Sequence, residues 1–112
     1  MYPLDEIRRE VSVHALDPAW KAAIAGANTE AELIELASTF VENASPREMD
    51  ALPSSCRPRR ITSAGDLSLV AFRLRRAYCS PSLDNLTAAR IERVLAFFEA
   101  LCDRIFDLRL AA

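Results

Sequence analysis

His14 is the sole histidine of this 112-residue chain, and Cys56, Cys79 and Cys102 are its only thiols. These four side chains are the ones whose chemistry would support a thiolate–imidazole pair or a zinc ligand set. Their spacing argues against both. Successive members lie 42, 23 and 23 residues apart, with no CxxC and no close Cys/His pair, whereas zinc modules present ligands in short-range pairs. An odd number of scattered cysteines fits free thiols in a reducing compartment better than a disulfide framework. With 2 glycines in the chain there is no phosphate-cradling loop, and neither GxGxxG nor GxxxxGK[ST] occurs. The residues imply no enzyme, no metal and no cofactor.

The charged side chains are more informative. Net charge is −2, yet residues 1–50 carry 4 basic against 10 acidic groups, residues 51–79 carry 6 Arg against Asp66 alone, and residues 80–112 carry 4 basic against 5 acidic. Thirteen of the 14 basic residues are Arg, a usage that reads as a GC-rich, bacterial coding sequence. The basic middle contains Arg57, Arg59 and Arg60, followed by Arg73, Arg75 and Arg76. Its functional meaning depends on the helix that carries the second cluster.

That helix is expected over 64–79, opened by the capping box Ser63-Ala64-Gly65-Asp66. At 100° per residue Leu67, Val70, Ala71, Leu74 and Tyr78 form an inward stripe, while Leu69 and Phe72 fall on the far side beside Arg73 and Arg76. Outward aromatic and apolar side chains framed by guanidinium groups have the composition of an interface hot spot. Arg57, Arg59, Arg60, Leu69, Phe72, Arg73 and Arg76 are therefore the candidate partner-binding residues. Nucleic acid is the weaker alternative for the same segment 57–76, because the rest of the chain is acidic and Asp66 would repel phosphate.

The supporting elements are legible from their punctuation. Ala and Leu supply 33 of the 57 apolar residues, a helix-forming mixture, so the fold class is all-α in a single domain, 1–112. Leu4, Ile7, Val11 and His14 at 3-4-3 spacing after Pro3 predict a first helix over 3–14. Asp17-Pro18 opens a second that Gly26 ends, and Thr29-Glu30-Ala31-Glu32 starts a third. Ser45-Pro46-Arg47-Glu48 starts a short one over 46–52, and the last runs from about 84 to 110 after Pro81. The expectation is a compact bundle of about six helices with a long C-terminal member.

The last helix carries an unusually wide apolar arc. Ile91, Val94, Leu95, Phe98, Leu101 and Ile105 fill its centre, and Phe97 and Phe106 widen it to about 180°, well beyond the ~100° stripe of an ordinary surface helix. These eight residues are the expected homodimer contact. Two antiparallel copies would set Glu92, Glu99 and Asp103 against Arg90, Arg93 and Arg104.

The acidic N-terminus does not resemble a signal peptide, and no run is apolar enough to span a membrane. A cytoplasmic location without membrane contact is expected. The closing Leu110-Ala111-Ala112 resembles the end of the tag that marks bacterial proteins for ATP-dependent proteolysis. The function expected is a small accessory, adaptor or inhibitory protein that works by contact with an unidentified protein partner and self-associates. A phage or mobile-element inhibitor of a host complex is a further variant.

Overall fold

The computed structural model describes residues 9–44, 46–50 and 52–111. They form α1 (Pro18–Gly26), α2 (Glu30–Asn43), α3 (Pro46–Asp50), a single 3-10 turn at Ser54–Cys56, α4 (Ala64–Tyr78) and α5 (Asn85–Ala111), with no strand among them. The fold is all-helical with a long C-terminal helix, as expected. Four helices are substantial and α3 has only five residues, so six overstates the count.

The shortfall lies at the start. Residues 3–8 of the expected first helix, and the Ser45 cap, lie outside the described residues. Residues 9–14 are irregular with a turn at 13–14 rather than helical. Some of their backbone groups bond within the turn, His14 N to Ser12 Oγ and Ala15 N to Ser12 O, but others go to distant side chains: Arg75 Nη1 donates to Arg9 O at 2.9 Å, and Ser12 N donates to Glu92 Oε2 at 3.2 Å. Long-range bonds of this kind compete with the i→i−4 ladder, and here they have replaced it.

Local capping behaves as its chemistry dictates. Asp17 accepts the Ala19 N–H at 2.8 Å with Pro18 at the first helical position, and Thr29 Oγ1 accepts the Glu32 N–H at 3.1 Å. Ser63 Oγ accepts from Asp66 N at 3.2 Å, and Asp84 Oδ1 accepts from Thr87 N at 2.8 Å, opening α4 and α5. The reciprocal arm of each box reaches one residue further back than expected, from Glu32 to Asn28 N and from Asp66 to Thr62 N. Gly26 is the last residue of α1 and has no positive φ; the helix ends instead by extension of the chain at Ala27.

α5 is the axis of the core. Its 27 residues make a rod of about 40 Å at 1.5 Å per residue, close to the molecule's 42 Å longest dimension. α4 packs along one flank, with α1 and α2 against others. Trp20, Phe40, Phe97 and Phe98 form the aromatic centre, Phe40 stacking on Phe97 at 4.1 Å and Phe98 standing edge-on to Phe97 at 5.3 Å. Arg104 fastens α5 to the end of α1 by two N–H donations to Ala27 O, at 3.1 and 2.9 Å.

This arrangement corrects the expected dimer contact. Ile91, Leu95, Phe97, Phe98, Leu101 and Ile105 are buried inside the single chain, and Val94 is half-buried. Of the eight residues only Phe106 is exposed, at 62%. A 180° apolar arc needs several neighbours, and three helices of the same chain supply them.

A candidate interaction face on α4 and α5

α4 divides as its periodicity requires. Leu67, Leu74 and Tyr78 are buried, whereas Phe72 is 61% and Leu69 45% exposed. Arg73 and Arg76 are exposed on the same outer side. Arg59 and Arg60 are exposed in the preceding loop.

Arg57 differs from the other arginines of the set. Its guanidinium turns back on the end of α3 and the loop after it, donating to Leu52 O and Asp50 O at 2.9 Å each, with Asp50 Oδ1 at 3.9 Å. Carbonyls of an irregular segment need such donors, so Arg57 braces the loop and is removed from the contact set.

α4 runs antiparallel to α5, and the seam between them holds two adjoining grooves. Ala71, Phe72, Arg75, Glu99 and Asp103 line the first; Gly65, Ile105, Phe106 and Arg109 line the second; Ser68 and Cys102 belong to both. Phe72 stands on the α4 side and Phe106 on the α5 side. Arg75 donates to both carboxylate oxygens of Glu99, at 2.6 and 2.8 Å, and this charge-assisted fork closes one end. Arg109 pairs with Glu30 at the other end. The glutamate partner raises the pKa of Arg75.

The acidic side of the groove is strained electrostatically. Partial burial, and then the charges of Glu99 and Asp107, push the Asp103 carboxyl above its ordinary value of 3.8. Burial likewise pushes the Cys102 thiol up, so it rests as a protonated, weakly reactive group beside Ser68.

The side chains singled out for reactivity do not assemble. His14 is exposed, Cys56 is buried with its thiol donating to Pro53 O at 3.3 Å, and no metal-binding group of His, Cys, Asp and Glu exists among the described residues. Ser68, Glu99, Cys102 and Asp103 complete the groove, and sequence reasoning did not place them there. Their signal is the antiparallel pairing of α4 with α5, which brings together residues about thirty positions apart.

No helix among the described residues is long and apolar enough to cross a membrane. No protein-family model matches this chain, and neither a curated protein nor a solved structure does.

Proposed function

We propose that the chain is a non-catalytic contact module, and that its α4/α5 face takes a second copy of itself. The observation that carries this reading is the distribution of exposed apolar side chains. Of six large ones among the described residues, Leu69 and Phe72 stand on α4, and Phe106 and Leu110 on the last turns of α5.

Charge favours a self-complementary occupant. Arg73 and Arg76 lie on the α4 side, and among the described residues neither joins a salt bridge. Asp103 lines the α5 side. A two-fold axis parallel to the helices lays α4 of one copy over α5 of the other, so that Arg73 and Arg76 meet the partner's carboxylates. Like-charge repulsion at Asp103 is relieved by that cation. An ordinary interface of about 800 Å² per copy would take about a tenth of the 7539 Å² accessible surface.

Sedimentation velocity tests this. The expected result is a dimer at tens of micromolar that Phe72→Ala with Phe106→Ala converts to a monomer of unchanged helicity. Arg73→Asp alone weakens the dimer, and adding Asp103→Arg restores it. A monomer at about 100 μM, or a dimer indifferent to both Phe substitutions, overturns the reading. So does salt-sensitive binding of a generic DNA duplex by the monomer through Arg59, Arg60, Arg73 and Arg76.

A further inference from the structure

A cleft of ≈ 230 Å³ opens where α1 and α2 meet α5, away from the α4 seam. Its base is aromatic. Trp20 stands edge-on to Phe40 at 5.5 Å and to Phe97 at 5.0 Å. Phe97 is buried, while Trp20 and Phe40 keep part of their surface open.

The α5 wall is one helical stripe: Arg90, Arg93, Val94 and Phe97 follow at i, i+3, i+4 and i+7. Phe97 and Val94 therefore offer apolar contact deep in the cleft, and the two arginines stand one to two turns away. Arg90 is half-buried and Arg93 exposed. Among the described residues neither forms a salt bridge. Asp17 also lines the cleft, its Oδ1 capping α1 by accepting from Ala19 N at 2.8 Å; with Arg90 and Arg93 opposite one carboxylate the lining keeps a net positive charge.

We propose that this cleft binds a small aromatic carboxylate, its ring on Trp20 and Phe40 and its carboxylate between Arg90 and Arg93. Size and charge both select that class. An apolar cavity of about 150 Å³ accepts benzene, so ≈ 230 Å³ takes one ring with a short acidic arm. Two guanidinium groups beside an aromatic base match a planar anion, because arginine binds carboxylates through paired N–H donors. The site is separate from the α4/α5 face, and its occupancy does not depend on self-association.

Trp20 is the only tryptophan, so its emission reports occupancy directly. Phenylacetate titrated into the intact protein should change Trp20 fluorescence saturably, with a Kd below about 1 mM. Phenylacetamide, which keeps the ring without the charge, and acetate, which keeps the charge without the ring, should each bind at least about tenfold more weakly. Arg93→Gln should weaken phenylacetate about tenfold, the scale of one lost charged hydrogen bond, while leaving phenylacetamide unaffected. Arg90→Gln supplies a second variant read the same way, with circular dichroism verifying the fold of both. No saturable change up to about 10 mM phenylacetate, equal binding of phenylacetamide, or affinity unchanged in both variants overturns the assignment.

Discussion

Replacing Tyr78 with Phe removes one oxygen from the point where residues 9–12 are tied to the helices. The ring is 6% exposed. Its hydroxyl donates to Glu92 Oε2 at 2.6 Å and approaches Glu10 O at 3.4 Å, and the same Glu92 oxygen accepts the Ser12 N–H. Burial first, and then Glu92, push the phenol from 10.0 to about 12. A shift of about two units corresponds to about 3 kcal/mol, in line with the ~1.5–3 kcal/mol of a hydrogen bond to a charged group. Because the folded value is the higher one, this stabilisation is complete below pH about 10 and disappears as pH rises towards about 12. Urea unfolding followed by far-UV circular dichroism reads it. Between pH about 8 and about 11.5 the parent protein should lose about 2 kcal/mol through this group. Tyr78→Phe should start lower by about 1–3 kcal/mol and lack that component of the decline. Cys56 and Cys102, both pushed up by burial, contribute equally to the two proteins and cancel in the difference. Parallel decline of parent and variant would refute the reasoning.

Acid should expose the capping carboxylates. Thr62 holds Asp66 below its ordinary 3.8 through its N–H and hydroxyl, and Thr87 does the same for Asp84. Their contribution is therefore present above pH about 4 and lost as pH falls through the depressed values; Asp66→Asn with Asp84→Asn should flatten the acid limb of a stability–pH profile. In the core, Phe98 is fully buried, standing edge-on to both rings of the stacked Phe40–Phe97 pair, so Phe98→Ala should cost about 3–5 kcal/mol in urea unfolding. A loss below about 1 kcal/mol would mean that the aromatic centre is loosely packed.

The elements whose determinants are local were readable before any coordinates. Asp17-Pro18, Thr29 with Glu32 and Ser63 with Asp66 each place cap and helix within four residues, and the helix starts follow. The two faces of α4 were equally legible, since burial of Leu67, Leu74 and Tyr78 against exposure of Leu69 and Phe72 needs only a period of 3.6. What the pattern does not encode is the number of neighbours a helix will have. The arc on α5 was wide enough to imply a second chain, yet α1, α2 and α4 meet it on different flanks. Arg57 shows the same limit for a loop: its type suited a charged patch, but the unsatisfied carbonyls of Asp50 and Leu52 claimed it first.

Residues 9–12 make the limit sharpest. Val11 and His14 continue a helical spacing, but Val13 beside them is 83% exposed and Val11 only partly covered. The partners that position this stretch are Arg75, Tyr78 and Glu92, separated from it by 66 to 80 residues. A side-chain donor to Arg9 O and a side-chain acceptor for Ser12 N satisfy backbone groups that a helix would otherwise pair internally. Val11 still packs against the core from this non-helical stretch, so an apolar residue at helical spacing finds cover here without a helix. The same Arg75 closes the groove beside Phe72 through Glu99, while Leu16, a few residues further along, lines the cleft over Trp20. The outward half of α4 was legible from its period alone, but the α5 wall of its groove exists only once α4 and α5 have paired, and the cleft exists only once α1 and α2 have met α5.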